Sequence, residues 1–117
     1  MYDINAGKYI YETGSSALTC ENITRLLTAI GDPARIEILF LLGSHERLKV
    51  GDITAQFRLS QPAISHHLRV LREAGAVQSE KVGQEVFYRM DGESVVSRLR
   101  EITDLFGHCE RSAPDEK

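Results

Sequence analysis

Gln61, Ser65, His66, Arg69 and Arg72 are the residues of this 117-residue chain whose types and spacing best suit contact with another molecule. On a helix, at about 100° per residue, they fan with Pro62 over one arc. Ile64, Leu68 and Leu71 share the opposite side. Amide, hydroxyl and guanidinium groups in that order are what a DNA major groove asks for. A glutamine can pair with adenine, a serine with several base edges, and arginines with guanine or phosphate. An ordinary amphipathic surface helix has the same two-sided pattern, so the flanking elements must decide between the two.

Those elements are punctuated clearly. Ser60 is a good N-cap, Pro62 is tolerated only in a first helical turn, and Gly75 is a natural stop, so 61–74 is predicted as a helix. Residues 76–82 read as a strand, Gly83-Gln84 as a tight turn and Glu85–Met90 as the returning strand. Upstream, 51–57 reads as a short helix with Ile53 and Phe57 inward, joined by the turn Arg58-Leu59-Ser60. Glycine often serves such turns, so Arg58 is expected either in a slightly costly conformation or in a turn of different detail. Leu48-Lys49-Val50 could add a short strand to the hairpin. Helix, turn, helix and hairpin together make a winged helix-turn-helix, whose wing offers Lys81, Gln84 and Arg89 to a DNA backbone or minor groove.

The run LSQPAISHHLRVLREAGAV, followed by Gly83 and the Phe87-Tyr88-Arg89 strand, resembles the ArsR/SmtB family of small winged-helix repressors, from about Ile23 to about Phe106. The resemblance implies a homodimer that blocks transcription at an inverted-repeat operator in double-stranded DNA. An inducer, often a metal ion or thiol-reactive species, releases it.

The remaining helices fit that frame. Ile23, Leu26, Leu27 and Ile30 fall at i, i+3, i+4 and i+7, giving a helix near 20–30. Asp32 caps and Pro33 opens a second, near 33–43, apolar nearly all round and so central. Asp91 can cap a last helix, 92–107, with Gly107 as its stop. Its stripe Val95, Leu99, Ile102 and Phe106 needs a partner, and the expected one is the same helix of a second copy with the first helix beside it. Residues 1–18 show no helical period; this tyrosine-bearing arm is either a loose terminus or docks on the partner subunit. Residues 110–117 read as a disordered tail, leaving 19–109 as the DNA-binding and dimerisation domain. The fold class is therefore mainly α with a small β-hairpin.

Charge supports a local reading head rather than a basic protein. The net charge is −3. Residues 45–90 hold seven bases (Arg47, Lys49, Arg58, Arg69, Arg72, Lys81, Arg89) and five acids (Glu46, Asp52, Glu73, Glu80, Glu85), a balance of +2 that leaves −5 elsewhere. Phosphate contact is local, so this is compatible with DNA binding, with weak non-specific affinity and strong salt dependence. No run approaches a membrane span, and no basic-then-apolar leader opens the chain, so the protein is expected to be cytoplasmic.

The sensing site is where the resemblance helps least. Relatives that bind metal beside the helix-turn-helix carry Cys-x-Cys-Asp there; the matching Leu48–Asp52 stretch has no thiol. Relatives that use the dimer helix carry Asp-x-His and His-x-x-Glu or His; here the matching positions are Asp91, Glu93, Asp104 and Gly107, and only the first agrees. Asp91, Glu93, Asp104 and His108 could still make an oxygen-rich site across the dimer for a harder ion, although helix capping and the helix dipole explain Asp91 and Glu93 equally well. Cys20 and Cys109, 89 positions apart, are expected as thiols rather than a structural disulfide. In the resembled dimer both lie along the interface. With His108 they could take a soft ion or arsenite, or become a disulfide or polysulfide bridge; alternatively they are unrelated. No cofactor is certain, and a metal ion or metalloid enters only as inducer. His66 and His67 diverge by about 100° and form no chelate; His67 belongs to packing. No catalytic constellation is present. A small thiol redox or metal-buffering protein is the alternative, and it leaves the 60–75 helix and the wing unexplained.

Overall fold

The computed structural model describes residues 20–112 with the segments Tyr2–Asp3 and Lys8–Tyr9, and side chains for residues 21–107. In chain order the elements are β1 (Tyr2–Asp3), β2 (Lys8–Tyr9), α1 (Cys20–Ile30), α2 (Pro33–Gly43), β3 (Leu48–Lys49), α3 (Val50–Thr54), α4 (Gln61–Glu73), β4 (Val77–Val82), β5 (Glu85–Met90) and α5 (Gly92–Ser112). β1 pairs antiparallel with β2, Tyr2 opposite Tyr9. The rest of the expected 1–18 arm lies outside the described residues, as does the tail beyond Ser112.

Local chemistry sets each boundary. The Asp32 carboxylate accepts the backbone N–H groups of Ala34 (3.0 Å) and Arg35 (3.2 Å) ahead of Pro33, which starts α2. Ser60 Oγ accepts Ala63 N–H at 3.3 Å and starts α4. α4 ends where expected, with Gly75 at φ +80°, the left-handed conformation glycine takes at least cost. Gly83, at φ +64°, opens the two-residue loop of the hairpin, the position where a II′ turn uses glycine.

Two helix ends depart from expectation. α3 is shorter than 51–57, because Gln56 N–H and Phe57 N–H bond back only three residues, to Ile53 and Thr54, and the helix tightens out of the α register. The link to α4 is then long enough for ordinary backbone, and Arg58 takes no positive φ. α5 does not stop at Gly107 but runs to Ser112. A glycine ends a helix by turning left-handed, and Gly107 does not do so.

The sheet runs β3-β5-β4, all antiparallel, so the short strand at Leu48–Lys49 does join the hairpin. One core gathers Ile38, Leu39 and Leu42 of α2, Ile53 of α3, Ile64, Leu68 and Leu71 of α4, Val77 of β4 and Val95 of α5. A second, smaller cluster joins α1 to α5 through Leu26 and Ile102, with Ile23, Leu99 and Leu105 around them. The α5 stripe is thus covered in large part by its own chain: Val95 and Ile102 are buried. What remains outside is Phe106 (70% exposed) and Val96 (45%), with Leu27 of α1 (42%).

Candidate nucleic-acid interface

Burying Ile64, Leu68 and Leu71 turns the opposite arc of α4 outward. Gln61, Pro62, Ser65, His66, Arg69 and Arg72 are all exposed. Gln61, Ser65 and Arg69 are spaced at i, i+4 and i+8, so they climb one side of the helix over about 12 Å. Arg69 and Arg72 make no hydrogen bond or ion pair among the described residues. Their guanidinium groups are left for an outside acceptor.

The wing extends this face, and its register says which residues belong to it. Val77 lies opposite Met90, Ser79 opposite Tyr88 and Lys81 opposite Val86. Directly opposed residues share a face of the pleat, so Ser79, Lys81, Val86 and Tyr88 stand on the α4 side. An open groove of about 360 Å³ lies there, lined by Pro62, Ser65, His66, Arg69, Arg72 and Tyr88. Gln78, Glu80, Val82, Glu85, Phe87 and Arg89 alternate to the other side. The register therefore puts Lys81 on the face of the wing that carries Tyr88 and turns Arg89 to the other; Gln84 sits at the exposed tip.

The far side also collects the acids of the wing. Glu80 pairs with Arg47 at 3.6 Å and Glu85 with Lys49 at 3.3 Å, while the Arg47 guanidinium stacks 4.2 Å over Phe87. Two of the seven bases in 45–90 are engaged there. The α4 side keeps Arg69, Arg72 and Lys81 with no acid of the wing among them. A larger hollow of about 860 Å³ between α1 and the end of α4 is no rival for DNA. Glu21 and Glu73 line it against a single Arg25, and that arginine already pairs with Glu21.

The two histidines separate as expected. His66 is exposed and lines the groove. His67 is half-buried, and its Nδ1 lies 3.1 Å from Arg35 Nη1. Burial pushes the ring below its ordinary value near 6.5, and the charges of Arg35 and His66 add to this against the pull of Asp32. Arg35 and Tyr88 are the residues that sequence reading missed. Tyr88 could have been found by counting the pleat outward from Gly83-Gln84; nothing in one dimension pairs Arg35 with a residue thirty-two positions on.

The proposed ligand sets fare differently. Asp91 Oδ2 accepts Gln78 Nε2–H at 2.7 Å and its Oδ1 accepts Ser94 N–H at 3.1 Å. These two bonds hold the carboxyl below its usual range. Asp91 and Asp104 are thirteen residues apart, about 20 Å of helix, so one protomer cannot bring both to a single ion. Among the described residues, no group of three or more His, Cys, Asp or Glu side chains could hold a metal. Cys20 opens α1 and Cys109 lies in the last turns of α5; their side chains and that of His108 lie outside the described ones. No helix among the described residues is long and apolar enough to cross a membrane.

Comparison with known proteins agrees with this arrangement. Residues 32–79 match the family described as bacterial regulatory protein, arsR family. The chain is 32% identical over 84 residues to the transcriptional repressor SmtB homolog of Synechocystis, covering 72% of this chain and 63% of that protein. It is 38% identical over 85 residues to an uncharacterised HTH-type transcriptional regulator of Methanocaldococcus jannaschii, covering 73% of this chain and 91% of the other. The ArsR-like transcriptional regulator from Rhodococcus superposes with a TM-score of 0.72 at 28% identity, over 79% of this chain and 86% of that one. The chain belongs to the ArsR family of bacterial regulatory proteins, winged-helix DNA-binding transcriptional regulators rather than enzymes.

Proposed function

We propose that the protein is a homodimeric repressor whose two α4 helices read the halves of an inverted-repeat operator. Each protomer places Gln61, Ser65 and Arg69 against base edges in one major groove, with Ser60 and His66 beside them. Arg72, Lys81 and Gln84 track the phosphates of the flanking backbone; Arg89 reaches only a strand that wraps past the far side of the wing. The observation that carries this reading is the exposed α4 face, where Arg69 and Arg72, without a partner among the described residues, line one groove with Ser65, His66 and Tyr88 of the wing. Apolar Leu27, Val96 and Phe106, exposed on the two helices that pack together, support pairing with a second copy through α1 and α5.

The inducer site we assign to the same helices. Cys20 is one turn before Ile23, and Cys109 one turn after Leu105, and both of those residues belong to the cluster between α1 and α5. A thiol oxidant, sulfide, arsenite or a soft metal ion acting on Cys20, Cys109 and His108 would change how α1 and α5 pack, and with it the spacing of the reading heads. Both half-sites must fit at once, so a small change suffices. The acidic set Asp91, Glu93, Asp104 and His108 could close only between protomers and is the lesser candidate.

Fluorescence anisotropy of the reduced protein with DNA from upstream of its own gene tests the reading. Tight, salt-sensitive binding that a thiol reagent abolishes and a reductant restores is expected. Binding no tighter than to scrambled DNA at the same salt would remove the operator-reading role.

A further inference from the structure

Arg35 joins three helices. From α2, its Nε donates to the Ala29 carbonyl at 2.6 Å and its Nη2 to the Thr28 carbonyl at 3.2 Å, both in the last turn of α1. Its third nitrogen, Nη1, faces His67 Nδ1 of α4 at 3.1 Å. α1 has no basic residue in that last turn, so the guanidinium supplies the positive charge its C-terminal end lacks. Arginine has donors only and stays charged. For the 3.1 Å contact to be a hydrogen bond, Nδ1 must be the acceptor, which requires a neutral ring with its proton on Nε2. A protonated ring would set two cations against each other.

We propose that Arg35 is a positioning residue for operator reading, fixing α4 against α1 through a neutral His67, so that protonation of His67 loosens the reading helix. This rests on the operator-reading role of α4 given above and adds the regulation of that helix. Arg35 touches no DNA; it acts through His67, whose neighbour His66 is on the reading face. The charged groups bearing on the ring are Asp32 at the start of α2, Arg35 within it and His66 on α4; α1 contributes the two carbonyls that hold Arg35. Only the Asp32 carboxylate favours an imidazolium, and it is engaged in capping α2.

The link can be read without DNA. Nitrogen-15 NMR of the full chain should show His67 as the Nε2–H tautomer at neutral pH; Arg35→Ala should mix the tautomers and raise the pH at which the ring titrates. A ring with Nδ1 protonated in the native protein, or one that titrates identically without Arg35, would overturn the proposal. In operator binding, Arg35→Ala and His67→Ala should each lose about tenfold in affinity, the size of one hydrogen bond to a charged group. The double variant should lose no more than either; additive losses would refute the link. His67→Asn keeps an acceptor where Nδ1 stood and cannot protonate. Its affinity should hold on mild acidification while the native protein loses about tenfold relative to it, a comparison in which every other group of the chain is common to both proteins. Parallel pH profiles would overturn the proposal. Should the native protein fail to bind its operator specifically, the proposed function falls, while the tautomer measurement still decides the Arg35–His67 link.

Discussion

Arg69 and Arg72 are three residues apart on one exposed arc, yet the proposed reading gives them different work, and replacing each by alanine should separate base reading from phosphate binding. Residues near the start of a reading helix meet base edges, and those farther along meet the backbone as the helix leaves the groove. From the Ser60 cap, Arg69 is nine residues in, about 13 Å along the axis, and Arg72 about 18 Å. Gln61, Ser65 and Arg69 cover a stretch of about 12 Å, which matches three or four base pairs at roughly 3.4 Å each. Arg69→Ala should therefore weaken operator binding by about 1–3 kcal/mol, or roughly fivefold to 150-fold, and relax specificity at one base pair. It should leave the salt slope of binding nearly unchanged. Arg72→Ala should weaken binding to operator and scrambled DNA alike and reduce the slope of log K against log salt by about 0.9, as expected when one phosphate is no longer neutralised. Both arginines are exposed and have no partner among the described residues, so neither change should alter thermal stability or the oligomeric state. The assay is anisotropy on matched operator and scrambled duplexes over a salt series. Equal weakening on both duplexes for Arg69→Ala would refute its base-reading role. Unchanged affinity in both variants would refute α4 as the reading helix.

Leu68→Ala removes a fully buried side chain between α4 and the core and should cost about 2–5 kcal/mol by denaturant unfolding; a cost under about 1 kcal/mol would mean that the core does not anchor the helix as described. Gly75→Ala forces a side chain into φ +80°, 3.0 Å from Arg98 Nη2. Among the described residues that nitrogen is buried without a partner and can give way, so the cost should be mainly the backbone strain of about 1–2 kcal/mol, read as a lowered melting temperature. Stability should fall with pH in two separate steps. His67 is held below 6.5, so its contribution is full above that value and is lost as pH falls through it, because the unfolded chain takes the proton first. Asp91 is held below 3.8, so its contribution persists to lower pH and is lost as the folded carboxyl titrates. His67→Asn should remove only the upper step in unfolding measured over a pH series. Cys20→Ser combined with Cys109→Ser should keep operator binding and lose the response to oxidant; a double variant that responds like the native protein would end the thiol reading.

The reading helix was legible because its punctuation and its period agree: Ser60, Pro62 and Gly75 mark ends that Ile64, Leu68 and Leu71 fill with helical spacing. The wing was legible for the same reason, an alternating pair of strands around Gly83. Gly107 shows where such signals fail. Glycine permits a left-handed stop without demanding one, and with an open surface around it the helix continues. The stripe on α5 misled in another way. Its period correctly called for a partner, but periodicity cannot say whose. Ile102 is covered by α1 of the same chain and Val95 by the main core, because the fold brings together elements distant in sequence. The Arg35 contacts with Thr28, Ala29 and His67 depend on that same assembly and leave no pattern in the sequence.

Net charge was the least informative property, and the structure explains why. A chain of −3 puts Lys81 on one face of the wing and Glu80 and Glu85 on the other because the strand register, not the composition, decides where each charge points. Had β4 slipped by one residue against β5, every side chain of β4 would have exchanged faces. Glu80 would then stand on the α4 side, and Lys81 would point away. The register is held by Gly83 at the turn, by Val77 and Met90 anchoring the α4 side, and by β3, which sets Lys49 against Glu85 on the other. The same contacts that fold the wing thus sort its charges, and a sequence with this composition and a shifted turn would fold a similar sheet without presenting a surface that DNA could use.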